Sequence, residues 1–291
     1  MPVVVTGAAG LIGRAAVSAF AKVSPEVRAY VRRPDVVEAL RALGAKVAVG
    51  SIDDIETMAT VMRGAHTVCH LVGGLDLPDE EAYLRNNVGS TRAVLDAAAS
   101  AKVARVLFVS YPGASPDSRN LYLRTKGLAE QAVTGSGLEH VVLRCTHVYG
   151  PGSDWLTQTR KLARGWPEVV LGSGRQRIAP VDVGDVAAVL AAADDRSQAT
   201  SGTWALEGPE RMTADEFADL LAGRRRRKLH VSGRRAQRLA RLTGKHVSTT
   251  ALEILESDSV ADGPDAAAEF GVVPTPLREG LGRALQPVLE R

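Results

Sequence analysis

Apolar positions along this chain follow two alternating rhythms. Short, nearly continuous apolar runs occur at Val3–Thr6, Val27–Val31, Val47–Val49, Thr67–Leu71, Val106–Ser110 and Val141–Leu143. Between them lie longer segments in which apolar residues recur at helical spacing: Leu11–Lys22, Asp35–Leu43, Ile55–Arg63, Glu80–Ala101 and Leu121–Ser136. The short runs read as strands buried on both faces and the longer ones as amphipathic helices. Strands alternating with helices of crossover length predict βαβ units in a parallel sheet.

The alternation weakens after Gly150, where Pro151-Gly152 breaks the chain. A helical stretch, Asp154–Arg164, comes next, then a strand-like run, Arg177–Val181, and a helix, Asp182–Ala193. Beyond Glu207 the pattern is mostly helical, and Thr213 followed by Glu216 forms the capping-box spacing that opens a helix. The expected architecture is an α/β doubly wound parallel sheet built from residues 1–150, with 177–206 returning to it. A smaller, mostly helical C-terminal lobe is expected from 151–176 and 207–291.

Composition narrows the class without naming it. Hydrophobic residues at 45% and charged residues at 24% fit a folded globular chain and exclude a disordered one. Cys69 and Cys145 sit inside apolar runs and supply neither a disulfide framework nor a zinc spacing, so no metal site and a reducing compartment are expected. The N-terminus lacks a charged leader region and a small-residue cleavage site, and apolar stretches such as Val186–Ala193 are too short to span a bilayer. A cytoplasmic protein with no membrane role is the expectation. Net charge is +3, but ten Lys or Arg and no acidic residue fall within Arg224–Lys245; removing those ten leaves the rest of the chain at −7. That segment, Arg224–Lys228 with Arg234, Arg235, Arg238, Arg241 and Lys245, could hold an anion. It lacks aromatic interleaving and a helix-turn-helix pattern, which disfavours nucleic acid, and Leu239 with Leu242 makes its second part an amphipathic helix with a solvated basic face.

The chemistry begins at the first strand, which runs into Thr6-Gly7-Ala8-Ala9-Gly10-Leu11-Ile12-Gly13. Glycines at 7, 10 and 13 suit a tight turn, a close backbone approach to a pyrophosphate and close helix–strand packing. The helix N-terminus behind them offers free N–H groups to phosphate. This is a Rossmann-type dinucleotide loop. Strand two ends Tyr30-Val31-Arg32-Arg33-Pro34, with no acidic residue at its tip. An acidic side chain there binds the ribose 2′-hydroxyl of NAD, whereas a guanidinium suits the 2′-phosphate of NADP. Arg32 and Arg33 therefore favour NADP over NAD.

Tyr122-Leu123-Arg124-Thr125-Lys126 gives Tyr-x-x-x-Lys, which puts phenol and ammonium on one helix face. A phenol titrates near ~10. A neighbouring ammonium favours the phenolate, so Lys126 is expected to lower the Tyr122 pKa and ready it for proton transfer.

The Gly-x-x-Gly-x-x-Gly spacing, the Tyr122/Lys126 pair after the fifth strand, Asn87-Val88-Gly89-Ser90-Thr91 and Leu143–Gly152 together resemble the extended and atypical branches of the short-chain dehydrogenase/reductase superfamily, including epimerase/dehydratase-like and NmrA-like members. The resemblance implies that Ala9, Leu11, Ile12, Ser51, Ile52, Leu71, Val72, Cys145 and Val148 lie along the cofactor and that Lys126 also bonds the nicotinamide ribose. Ser51 stands where relatives often carry an adenine-contacting Asp; Asp53 reads instead as the N-cap or first turn of the next helix. A Ser or Thr usually follows the fifth strand to orient substrate. Here Ser110 is the candidate, with Tyr111 in the usual slot and Ser115 as a further hydroxyl. Cys145 replaces a common proline and reads as packing, since no cationic partner for it is evident in the sequence. Arg177 either faces a substrate cleft or pairs with Asp182 or Asp185.

The resemblance implies an NADP-dependent oxidoreductase, transferring hydride to or from a carbonyl, alcohol or quinone. Its alternatives are a nucleotide-sugar epimerase or dehydratase that retains NAD(P), and a non-catalytic NADP(H) sensor or scaffold, since the Ser110–Ala114 shape points toward the atypical branch. The implied partner is a small-molecule substrate, and the implied state a monomer or homodimer.

Overall fold

The computed structural model describes residues 1–195, 201–242 and 247–286. Each apolar run forms a strand and each amphipathic segment a helix: β1 (Val3–Thr6), α1 (Leu11–Val23), β2 (Val27–Val31), α2 (Val37–Ala42), β3 (Ala45–Val49), α3 (Ile55–Met62) and β4 (Thr67–His70). The next helical stretch is broken into α4 (Glu80–Tyr83), a π-helical segment over Leu84–Gly89, and α5 (Ser90–Ser100). Then come β5 (Arg105–Ser110), α6 (Leu121–Thr134) and β6 (Glu139–Cys145).

These strands form a seven-stranded parallel sheet in the order β11-β6-β5-β4-β1-β2-β3, where β11 is Gly202–Leu206. Strand order reverses at β1, which lies between β2 and β4. In such sheets the crevice beyond the strand C-termini at this point is where ligands bind. One face is covered by α1 and α8 (Val183–Ala193), burying Val17, Phe20, Val186 and Leu190. The other is covered by α3, α5 and α6, burying Met58, Met62, Val94, Ala97 and Val133.

The remainder interleaves with this sheet: β7 (Val148–Tyr149), α7 (Asp154–Arg164), β8 (Glu168–Leu171), β9 (Arg177–Ile178), β10 (Val181–Asp182), β12 (Met212–Thr213), α9 (Ala214–Ala222), β13 (Lys228–Val231), α10 (Gly233–Leu242), α11 (Thr249–Glu256), α12 (Ala266–Glu269) and α13 (Leu277–Ala284). The predicted strand Arg177–Val181 does not rejoin the main sheet. Its halves pair separately, β9 antiparallel with β12 and β10 parallel with β7, and the strand that reaches the sheet edge is β11. Pro180, between β9 and β10, has no N–H to donate and interrupts any longer ladder. The lobe has its own core, in which Leu156 and Ala163 of α7 meet Val170, Phe217 and Leu221. Its helix α9 is opened by the expected capping box: Thr213 Oγ1 accepts from Glu216 N–H and the Glu216 carboxylate accepts from Thr213 N–H.

Candidate active site

The loop between β1 and α1 has its shape imposed by what a side chain would strike. Gly7 adopts φ +72°, and a Cβ there would lie 2.7–2.8 Å from the backbone of Leu71 and Val72 at the end of β4. A Cβ on Gly13 would fall 2.2 Å from the Gly7 carbonyl oxygen. Gly10 is different. It is exposed, its nearest obstacle is 3.4 Å away, and as N-cap of α1 it supplies no side-chain cap, so the first amides of α1 stay open to a ligand. Two glycines thus hold the loop closed and one leaves a gap, the form a pyrophosphate cradle requires.

At the tip of β2, Arg33 forms an exposed ion pair with Asp35 at 3.6 Å, while Arg32 is exposed and has no ion-pair or hydrogen-bond partner among the described residues. Beside it, Tyr30 donates to the Ser51 carbonyl oxygen at 2.8 Å, and Ser51 Oγ accepts from Asp53 N–H. The cap of α3 is Asp54, not Asp53: its carboxylate accepts from Thr57 N–H at 3.0 Å, which with the Thr57 hydroxyl holds its pKa below the usual range.

Tyr122 and Lys126 meet the glycine loop in one cleft of about 170 Å³, lined by Ile12, Leu71, Val72, Gly73, Gly74, Leu75, Asn87, Val109, Tyr122 and Lys126. Asn120 caps α6, accepting from Tyr122 and Leu123 N–H, and Gly127 lets the Ser115–Pro116 backbone cross the helix, where a Cβ would lie 2.3 Å from Ser115 C. Glu130, one turn beyond Lys126, accepts both Nε and Nη2 of Arg144 on β6, at 3.0 and 2.6 Å, and locks the helix to the sheet.

The electrostatics differ from the sequence expectation in one respect. Lys126 donates to the Val109 carbonyl oxygen at 2.6 Å and lies 4.0 Å from the centroid of the Phe108 ring. Burial pulls its pKa down to about 8, against the opposing influence of Glu130. Tyr122 is held well above its ordinary pKa by burial, with Tyr111, Cys145 and Tyr83 adding to the effect. In this state the ammonium is spent on the strand, and the phenol is kept fully protonated rather than eased toward phenolate. Cys145 does have a cationic neighbour in space, Lys126, but burial outweighs it and pushes the thiol up, so the thiol stays inert.

Ser110 is buried, and its Oγ has no partner among the described residues; Val109, not Ser110, lines the cleft. Ser115 is half-buried, and its Oγ accepts from Asp117 N–H. Val148 starts the short pair β7–β10. Arg177 is exposed and pairs with neither aspartate: Asp182 caps α8 through Gly184 N–H and lies 3.4 Å from Arg283, while Asp185 accepts from Thr275. In the basic segment, Arg224, Arg225, Arg227, Arg234, Arg235 and Arg238 are exposed. Lys228 turns inward to Asp219 at 2.6 Å and Glu168 at 3.7 Å; the Arg241 side chain and Lys245 lie outside the described residues.

Three arrangements at the site carried no sequence signal, although Asn87 itself stood within the Asn87–Thr91 motif. Asn87, on the π-helical segment, exchanges two hydrogen bonds with the Gly74 backbone and donates to Thr125 Oγ1 at 3.0 Å, fixing the loop after β4 against the Tyr122 helix. His70 bridges Thr6 Oγ1 (2.8 Å) and Thr91 Oγ1 (3.1 Å). Thr91 donates to the Asn87 carbonyl oxygen, so it accepts from His70 Nε2–H, and Nδ1 accepts from Thr6. Burial lowers the His70 pKa to about 3, keeping it neutral. The third is a file of rings: Tyr122 edge-on to Tyr111 (5.8 Å), Tyr111 to His147 (5.8 Å), His147 stacked on Trp155 (4.7 Å) and Trp155 on Phe217 (5.5 Å). It runs from the cleft into the lobe.

Residues 3–204 match the profile of the NAD dependent epimerase/dehydratase family. The chain belongs to that family. Among curated members, a (4-alkanoyl-5-oxo-2,5-dihydrofuran-3-yl)methyl phosphate reductase from Streptomyces griseus is 30% identical over 98% of this chain and 94% of its own length. A ceramide reductase from Caulobacter vibrioides is 31% identical over 65% of this chain, which spans only 60% of that protein. Among solved structures, the Citrobacter sp. triphenylmethane reductase superposes with a TM-score of 0.79 at 19% identity, covering 98% of this chain and 100% of that one. The fold match thus extends beyond the residues that the family profile covers. Among the described residues, no helix of this family member is long and apolar enough to cross a membrane.

Proposed function

We propose that this chain is an NADP(H)-dependent reductase that delivers hydride and a proton to a carbonyl or quinone. The reading rests on one observation above all: Tyr122 and Lys126 line the same cleft as Ile12, Leu71 and Val72 beside the glycine loop. The full-length similarity to a reductase supports it. The cradle suits a dinucleotide, because Gly7 and Gly13 allow the backbone contacts that shape the loop while Gly10 leaves the α1 amides open. When bound, the reduced nicotinamide supplies the hydride. Gly10 and the first turn of α1 would hold the pyrophosphate, and Arg32, free of any described partner, would take the 2′-phosphate. Lys126, which here donates to the Val109 carbonyl, would hold the ribose. Tyr122, held protonated by burial, gives its Oη proton to the substrate oxygen as the carbonyl carbon is reduced; the resulting phenolate is the charge Lys126 stabilises.

Calorimetric titration with NADPH and NADH tests the cofactor assignment. Wild type is expected to bind NADPH more tightly, and Arg32→Ala to weaken NADPH about 10- to 100-fold, the value of a charge-assisted hydrogen bond, with NADH unaffected. Equal losses for both cofactors would sink the 2′-phosphate role of Arg32.

A further inference from the structure

The file of rings ends in a second cavity, which shares no lining residue with the cleft. It lies within the lobe between α7, β8 and α9, has a volume of about 60 Å³, and is walled by His147, Trp155, Leu162, Ile178, Phe217 and Leu255. Among the described residues, no charged side chain lines it. Its polar atoms are almost all committed within the chain. Thr159 donates to the Trp155 carbonyl oxygen at 2.8 Å, and Gln176 Nε2 donates to the carbonyl oxygens of Leu171 (2.6 Å) and Leu255 (3.2 Å). Tyr111 gives its proton to Ser259, so its oxygen accepts from His147 Nδ1 at 3.3 Å. Burial lowers the His147 pKa to about 4, leaving the ring neutral. A diphosphate or a sugar placed here would lose its water and find almost no partner in exchange. An alkyl group would lose nothing.

The position is as informative as the lining. His147 forms the wall and touches Tyr111, which touches Tyr122, so the cavity lies two ring contacts from the proposed proton donor. Size sets the shape of the occupant. An apolar cavity of roughly 150 Å³ is what accommodates a benzene ring. A space of about 60 Å³ takes the end of a thin chain and excludes fused rings.

We infer that the lobe cavity is a tail-binding site, and that the substrate is a ketone or quinone carrying a straight alkyl or alkenyl chain, its oxygen at Tyr122 and its tail in the cavity that Trp155 and Phe217 help to wall. This deepens the reductase reading and rests on it for the reacting group, but tail binding is measured independently of turnover. The probes are straight-chain 2-alkanones of about six to twelve carbons. In a chain carrying Trp166→Phe and Trp204→Phe, Trp155 is the sole tryptophan and its emission reports the cavity. Affinity is expected to rise about fourfold per methylene until the cavity is filled. Ala218→Leu, which projects into the cavity from α9, is expected to abolish that rise while NADPH affinity stays unchanged. Thr159→Leu narrows the cavity from α7 and gives the same result if Ala218→Leu does not fold. Affinity independent of chain length, or displacement of the alkanone by UDP, overturns the tail site. Chain-dependent binding with no NADPH oxidation by any ketone leaves the tail site standing and overturns the reductase reading. NADPH oxidation without chain dependence does the reverse.

Discussion

The cofactor cleft and the lobe cavity are built by opposite means. In the cleft, backbone presses on backbone: Gly7 against Leu71 and Val72, Gly13 against the Gly7 carbonyl, and Asn87 gripping Gly74. The loop there offers backbone amides, to which Ile12, Asn87, Tyr122 and Lys126 add side chains around the same cleft. In the lobe, side chain meets side chain, with His147, Trp155 and Phe217 stacked in series. The difference teaches where change is tolerated. A cleft shaped by absent side chains fails when one methyl is added, whereas a cavity shaped by rings and alkyl groups changes what it accepts.

The expected effects that sharpen this contrast run from large to small. Tyr122→Phe removes only an oxygen at the boundary between the two regions. NADPH-dependent turnover is expected to fall about 10²- to 10⁴-fold with NADPH affinity intact; retained turnover in a spectrophotometric assay would move the proton donor elsewhere. Gly13→Ala is next. Its Cβ would sit 2.2 Å from a backbone oxygen, so the loop must shift, at about 1–3 kcal/mol of stability in urea unfolding and with weakened NADPH binding. A Gly13→Ala variant as stable as wild type would break the contrast.

Acid tests both regions at once, because each holds a neutral buried imidazole. His70, at about 3, serves the cleft, and His147, at about 4, serves the lobe. Unfolded histidine titrates near ~6.5. Below that pH the unfolded chain binds protons that the folded chain refuses, so stability is intact above about 6.5 and falls on acidification. Each histidine contributes a slope of about 1.4 kcal/mol per pH unit, His147 down to about pH 4 and His70 to about pH 3. His147→Phe is expected to remove one of those slopes in urea melts taken between pH 6.5 and 4. The smallest effect is Ser110→Ala. Its buried hydroxyl has no described partner, so stability is expected to hold or rise by up to about 1 kcal/mol. A fall in kcat on that replacement would assign Ser110 a substrate contact that Val109 now blocks.

What could be read from the chain follows the same division. The glycine loop was legible because its three constraints sit within seven residues of each other, and Tyr122 with Lys126 because one helical turn fixes their relation. The β2 tip was legible as an exposed pair of arginines, although only Arg32 is left free by Asp35. Asn87 appeared as part of a motif but not with its grip on Gly74, since periodicity reads Glu80–Ala101 as one unbroken helix and conceals the π-helical segment that aims it. The upward shift of the Tyr122 pKa was hidden because its causes, burial and the neighbouring Tyr111, Cys145 and Tyr83, come from other parts of the chain. The run Arg177–Val181 pairs outside the main sheet, and within the segment 177–206 it is Gly202–Leu206 that reaches β6, a pairing between distant strands that the local pattern does not show. The ring file lies wholly in tertiary contacts between residues far apart in the chain.

The Thr6–His70–Thr91 bridge carries a consequence of a different kind. Its hydrogen-bond directions leave a single imidazole proton, on Nε2, sealed between β4 and α5 and one residue away from the glycine loop at Thr6. Such a proton exchanges slowly with solvent and resonates far from the amide region of a proton spectrum. It is a built-in reporter of loop closure, readable in the unlabelled protein before any substrate has been found.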